Sequence, residues 1–193
     1  MNFPDVFPVL TTARLVLRAT SPDDVEGVFA MESDPVAMRY WSRPPMQDIS
    51  QARAEVERAM TFFPDHVGLR WSITRAGEDR MIGQVSVFGF HEPSARAEIG
   101  YGLARAHWGQ GFMHESLIAV VDYAFGPMGL RRLEADIHPR NQASLLAVER
   151  LGFKREGLLL ERWQVGDEIS DSVLLGLLAR QWQARRAAET TTS

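Results

Sequence analysis

The chain has 193 residues, of which 45% are hydrophobic and 24% charged, with 21 Lys and Arg against 25 Asp and Glu for a formal charge of −4. This is the composition of one globular domain with a full core and one or two extra elements, and a pI near 5.7 lacks the basic excess that phosphate-backbone binding needs. The absence of cysteine excludes disulfides, thiolate metal sites and a cysteine nucleophile.

The first residues, MNFPDVFPVLTTARL, lack a basic segment followed by an apolar run, and no stretch approaches the ~20 apolar residues of a membrane span. The expectation is a cytoplasmic protein whose partners are neither nucleic acid nor membrane. Arg14 to Ala19 alternate as a strand. Ser21-Pro22-Asp23-Asp24 then combines an N-cap serine, a first-turn proline and two acids ahead of a helix through about Met31. Ala52, Val56, Ala59 and Phe63 recur at helical spacing, so Ser50 to Phe62 is a second helix. Between the two, MRYWSRPPM carries three large side chains and two prolines and reads as a shaped loop.

LRWSITR, MIGQVSVFGF and AEIGYGL, separated by turn residues at Ala76–Asp79 and His91–Ser94, form a three-strand meander. A helix from about Met113 to Phe125 buries Met113, Leu117, Val120, Val121, Ala124 and Phe125 on one stripe, and Gly126-Pro127 stops it. LEADI is a strand, Asn141 to Leu151 a helix closed by Gly152, and two strands follow near Lys154–Val165 and Ser170–Leu177. The order βααβββαβαββ describes a single α+β domain. The final AAETTTS reads as a frayed tail.

Residues 98–115 run from a strand through a glycine loop into an amphipathic helix. Gly109 and Gly111 let backbone N–H groups turn inward, and the helix dipole adds to them, which favours a phosphate or pyrophosphate; an ordinary strand-to-helix turn is the plain alternative. No Lys-Ser or Lys-Thr follows Gly111, so a Walker A loop fails. Arg105 stands where a dinucleotide fingerprint needs its third glycine, and His114-Glu115 lacks the second histidine of a zincin. No metal site is expected.

The motifs Ile99-Gly100-Tyr101, Trp108-Gly109-Gln110-Gly111-Phe112 with Glu115, Leu133-Glu134-Ala135, Pro139-x-Asn141-x-x-Ser144 and Leu151-Gly152-Phe153-x-x-Glu156-Gly157 occur in this order. Together they resemble the GNAT superfamily of acetyl-CoA-dependent N-acyltransferases, and Trp108 resembles its RimJ/RimL branch, over about residues 10 to 178. The resemblance implies a GNAT-type α+β domain over residues 1–180, with 181–193 as a C-terminal tail. Its mixed central sheet would have about seven strands, helices on both faces, and splayed strands 4 and 5. It also implies acetyl-CoA as cosubstrate, its pantetheine arm in the splay against Tyr101, Gly102 and Leu103, and its pyrophosphate on the amides of Trp108, Gly109, Gln110, Gly111, Phe112 and Met113.

By the same resemblance Asn141 and Ser144 face the cofactor, and Ser144 is the candidate donor to the leaving thiolate. Asn141 is independently a good N-cap. Other branches use a tyrosine four residues on, where this chain has Val148. An amine of pKa ~10 must lose a proton before it attacks. Glu98 is the leading candidate base, with Glu161, His138 or a water relay as alternatives; the strand position that carries a glutamate in RimJ/RimL relatives falls on Trp163 here, with Glu161 on the same face of a regular strand. Tyr40, Trp41 and Trp71 are either core or the aromatic wall of an acceptor pocket. Arg150 and Lys154 are candidates for the adenosine 3′-phosphate, against a plain reading as exposed helix-end residues. The expected activity is direct acetyl transfer to a primary amine, a protein N-terminus or a small molecule, in a ternary complex. A non-catalytic acyl-CoA sensor is the alternative, and homodimerisation is left open.

Overall fold

The computed structural model describes residues 1–191. A two-residue strand β1 (Leu10–Thr11) folds back on β2 (Leu15–Ala19), and β2 pairs antiparallel with β3 (Gly68–Arg75). Strands β3, β4 (Met81–His91) and β5 (Arg96–Leu103) form the expected meander. Strand β6 (Arg132–Ile137) lies parallel to β5, and the hairpin β7 (Lys154–Val165) and β8 (Glu168–Leu178) completes an eight-stranded sheet in the order β1-β2-β3-β4-β5-β6-β8-β7. The strand beyond the expected seven is β1, whose two residues are too few for any periodicity to reveal.

Because side chains alternate across a strand, one face presents Val85, Val87, Ala97, Ile99, Leu133, Ala135, Leu175 and Leu177, all buried in the main core. Helices α3 (Phe112–Phe125) and α4 (Gln142–Glu149) cover this face through Leu117, Val120, Val121, Leu145 and Val148. On the opposite face α1 (Val25–Glu32) and α2 (Ile49–Thr61) close a smaller core of Val28, Met31, Met46, Ala52, Val56 and Met81. Helix α1 is entered through a 3-10 turn, Pro22–Asp24, and Asp48 caps α2 by accepting the Ser50 N–H at 2.8 Å.

One sequence expectation changes. Residues from 181 are not a tail: α5 (Ala179–Thr191) is helical, and Trp182 is 3% exposed in the main core, its indole N–H donating to Asp122 at 2.7 Å. Residues 192 and 193 of the expected tail lie outside the described residues. Of the two readings open for Trp71 the structure gives the core: it is fully buried on β3, with Phe7 against it at 5.6 Å and its N–H on the Pro8 carbonyl.

Candidate active site

The sheet opens at one place. Strands β5 and β6 pair only at Arg96, Ala97 and Glu98 opposite Arg132, Leu133 and Glu134. Beyond Glu98, β4 still holds β5 as far as Leu103, and β8 still holds β6 as far as Ile137, so the two strands part with no ladder between them. A cavity of about 770 Å³ occupies the opening, lined on one side by Glu98 to Tyr101 and on the other by Asp136 to His138, Asn141 and Ser144. Glu98 and Tyr101 point to opposite faces of β5, so the cavity passes through the sheet.

Past the end of β5 the chain makes a 3-10 turn, Arg105–His107, and enters α3 through the glycine loop. Gly109 and Gly111 both take left-handed backbone, φ 72° and 80°, as an inward-turning amide loop requires. Gly111 is the N-cap of α3. A Cβ at Gly109 would meet no atom within 4 Å, so the loop faces open space there. The loop is tied to the start of β2. Arg14 donates from Nε to Glu115 at 2.7 Å and from Nη1 to the Gln110 carbonyl at 3.0 Å, and it stands 4.7 Å over the Phe112 ring. Glu115 also accepts the Thr12 hydroxyl and the Arg14 backbone N–H, which hold its carboxyl below the ordinary range against the opposing effect of desolvation. Phe112 is buried, whereas Trp108 is 45% exposed and its indole N–H donates to the Leu103 carbonyl at 2.7 Å. One of the backbone groups expected to be free between residues 101 and 103 is therefore taken by the loop itself.

On the α4 side, Asn141 caps the helix by accepting the Ser144 N–H at 3.2 Å. The Ser144 hydroxyl donates to Tyr101 Oη at 2.7 Å, and Tyr101 donates in turn to the Ser144 carbonyl at 2.9 Å. Burial pushes the Tyr101 phenol up to about 12, with the Ser144 bond working the other way. Val148, at the position where other branches have a tyrosine, is fully buried core. Sequence reasoning placed Tyr101 by its backbone and missed its hydroxyl, although a tyrosine on the splayed strand facing a serine-bearing helix end was a usable signal.

On the other face, Glu98 accepts no hydrogen bond from the described residues, and burial together with Asp136 and Glu134 raises its pKa above the usual glutamate value, while Arg162 and Arg96 oppose. Asp136 is held by the Ser172 hydroxyl, by the Trp163 indole at 3.3 Å and by Arg162 at 3.5 Å. Both carboxylates line the cavity. His138 also lines it, with Tyr40 stacked at 4.8 Å, but His138 Nδ1 accepts the Arg140 N–H at 3.0 Å. Burial and Arg140 lower its pKa, and with Nδ1 accepting, the neutral ring carries its proton on Nε2. Glu161 does not reach the cavity. A bulge between Leu159 and Trp163, with Glu161 at φ 50°, turns Trp163 toward Asp136 and leaves Glu161 exposed.

The shaped loop between α1 and α2 roofs the far end. Trp41 lies over Gly102, where a Cβ would come within 2.6 Å of the indole. Beneath the roof is a cluster of charges. Arg70 donates to Glu55 at 2.5 Å and to Gln84 at 2.8 Å, and Arg43 donates to Glu32 at 2.6 Å and to Glu55 at 3.1 Å. Arg58 closes the group onto Glu55 at 2.7 Å. Arg70 and Arg43 hold the Glu55 carboxyl down at about 2 despite its desolvation. Among the described residues no group of three or more His, Asp or Glu is placed to hold a metal, and no helix is long and apolar enough to cross a membrane.

A splayed parallel pair beside a glycine-loop helix N-terminus is the arrangement that the sequence motifs implied, and comparison with known proteins agrees. The model of the acetyltransferase (GNAT) domain matches residues 14–154. An uncharacterised N-acetyltransferase of Bacillus subtilis, YoaA, is 34% identical over 154 residues, covering 80% of this chain and 87% of its own. Another uncharacterised N-acetyltransferase, p20 of Bacillus licheniformis, is 33% identical over 173 residues, covering 90% and 97%. The solved structure of a spermidine N-acetyltransferase from Vibrio cholerae in complex with CoA and spermine superposes with a TM-score of 0.78 at 22% identity, covering 89% of this chain and 99% of that one. With its motifs, its splayed sheet and these relatives in agreement, the chain belongs to the GNAT acetyltransferase family and is an N-acetyltransferase.

Proposed function

We propose that this enzyme, of the RimJ/RimL type, transfers an acetyl group from acetyl-CoA directly to a primary amine, with both substrates held at once in the cavity that passes through the sheet. The single observation that carries the reading is the opening itself: β5 and β6 lose their ladder beyond Glu98, and the exposed backbone ends at a left-handed glycine loop on a helix N-terminus. Unpaired strand backbone needs partners, and an amide-bearing arm can supply them as an added strand would. The residues present suit coenzyme A: backbone from Tyr101 to Leu103 for the arm, the amides from Trp108 to Met113 for the pyrophosphate, and Asn141 and Ser144 on the opposite wall.

Bound acetyl-CoA supplies an acyl carbonyl activated by a thiol leaving group of pKa ~8.5. Backbone N–H groups near Leu103 polarise that carbonyl. Glu98, on the acceptor face at the apex of the splay, takes a proton from the ammonium and frees the nitrogen lone pair. The new C–N bond forms as the C–S bond breaks; the second nitrogen proton passes to solvent, and the Ser144 hydroxyl, turned away from Tyr101 Oη, offers a hydrogen bond to the departing thiolate. Without cysteine no acyl-cysteine relay exists, and positioning of the two substrates carries the rate.

The test is acetylation of an amine panel, containing a peptide with a free N-terminus and small primary amines, beside calorimetric binding of CoA. Turnover together with binding supports the proposal. Binding without turnover of any amine would instead favour an acyl-CoA sensor, and no binding would remove the loop assignment.

A further inference from the structure

The acceptor side of the cavity is electrically divided. At the splay its wall carries the carboxylates of Glu98 and Asp136, and beneath the roof loop it carries the guanidiniums of Arg43, Arg58 and Arg70 with one carboxylate, Glu55, among them; Arg39 and Glu168, also in the wall, pair with each other. Counting Glu32, which sits behind the wall and pairs with Arg43, three guanidiniums face two carboxylates. One positive charge is left over. Within this group Arg43 Nε is buried with no hydrogen-bond partner among the described residues, and a buried unpaired donor is costly. Tyr40, Trp41 and Phe88 line the same cavity.

The register gives the separation. Arg70 lies opposite Ser86, and Ser86 opposite Gly100, in one row across β3, β4 and β5. Two interstrand spacings place the Arg70 backbone roughly 10 Å from that of Gly100, two residues along the strand from Glu98.

The geometry points to an acceptor that is an amino carboxylate: a primary amine at the Glu98 and Asp136 end, an apolar middle against the aromatic residues, and a carboxylate received by the surplus guanidinium charge around Arg43. This rests on the acyl-transfer reading for the position of the amine and extends it to the acceptor's other end. A carboxylate there would balance the cluster, meeting the accessible guanidinium surface of Arg43 and Arg58, because guanidinium groups bind carboxylates through short, charge-assisted bonds. A second amine at the same place would meet the cluster's surplus charge with like charge, so diamines of equal length are disfavoured.

The experiment uses the full chain saturated with acetyl-CoA for turnover, or with CoA for calorimetric binding, and three probes of matched length: 6-aminohexanoate, hexylamine and hexane-1,6-diamine. Expected is at least a tenfold preference for 6-aminohexanoate in kcat/KM, with a corresponding preference in binding. Arg43→Gln should shrink that preference several-fold, mainly through KM. Since Arg43 is part of a buried cluster, Arg58→Gln on the exposed edge is the second variant, expected to narrow the same ratio in a protein of unchanged thermal stability. Turnover with hexylamine or the diamine equal to or better than the amino carboxylate would overturn the inference alone, as would variants that slow all three probes equally. Preferential binding of 6-aminohexanoate without turnover would support the inference and overturn the catalytic reading. Absence of both binding and turnover for all three would overturn both.

Discussion

Replacing Tyr101 with Phe separates two roles that its hydroxyl can play. The hydroxyl accepts from the Ser144 hydroxyl at 2.7 Å and donates to the Ser144 carbonyl at 2.9 Å. Tyr101→Phe therefore strands a donor and an acceptor in the first turn of α4, a loss of about 1–3 kcal/mol in folding stability if neither finds water. As a proton source the phenol is badly matched. Its pKa is pushed up to about 12, against ~8.5 for an ordinary thiol. A full proton transfer to the departing thiolate would run uphill by about 3.5 pH units, which is about 5 kcal/mol. In the proposed reaction the sulfur therefore leaves as a thiolate assisted by a hydrogen bond, and Ser144 alone can supply that bond once Tyr101 no longer accepts its proton. The expected result is a lowered melting temperature with kcat reduced by less than about tenfold at neutral pH, the scale of one neutral hydrogen bond. Chemical denaturation read beside single-turnover kinetics between pH 6 and 9 measures both quantities. A fall in kcat of a hundredfold or more, with stability and CoA affinity intact, would show that the phenol does deliver the proton and would refute this reasoning.

Glu98→Gln is expected to lower turnover about 10²–10⁴-fold at neutral pH, the range for a positioned base, and to recover partly at high pH where more of the amine is already free. As the proposed base Glu98 must be ionised to accept a proton, so kcat/KM is expected to fall as pH drops through its pKa. Burial with Asp136 and Glu134 nearby sets that limb above the usual 4.5; a variant with unchanged rate at every pH would remove Glu98 from the mechanism. Arg14→Ala cuts the ties from β2 to Glu115 and to the Gln110 carbonyl. Because Arg14 is half exposed, the stability cost is about 1–2 kcal/mol, and the freed glycine loop should bind CoA several-fold more weakly by calorimetry. Equal affinity in the variant would mean that the loop holds its shape without Arg14. Gly109→Ala adds a methyl that meets nothing within 4 Å, so its effect is the strain of a left-handed alanine alone, ~1–2 kcal/mol. In the free protein the melting temperature should therefore fall by only a few degrees, CoA affinity should fall because the methyl stands where the pyrophosphate is proposed to lie, and a much larger loss of stability would contradict the open surroundings of the loop.

The parts of this molecule that were legible in its sequence are those where one local rule decides the outcome. The meander, α3 and its glycine loop, and the Asn141 cap each follow from periodicity, left-handed glycine or capping chemistry acting over a few neighbouring residues. The parts that were not legible arise where distant segments decide. Glu161 and Trp163 share a face in any regular strand, and only the bulge set by the pairing of β7 with β8 separates them, sending the indole to Asp136 and the carboxylate to solvent. Trp182 has the polar neighbours of a tail residue, yet Asp122, 60 positions earlier, receives its indole N–H and draws it into the core. Arg43, Glu55 and Arg70 look in sequence like three scattered surface charges; they meet because α2 lies over β3 and the roof loop drops Arg43 between them. The same distinction runs through the active site. The glycine loop proposed to recognise an anion is local and could be read, whereas the proposed acceptor wall is assembled from α2, β3, β5, β6 and the roof loop. The reaction class therefore shows in a motif, but the identity of the amine is written in contacts between segments that no motif joins.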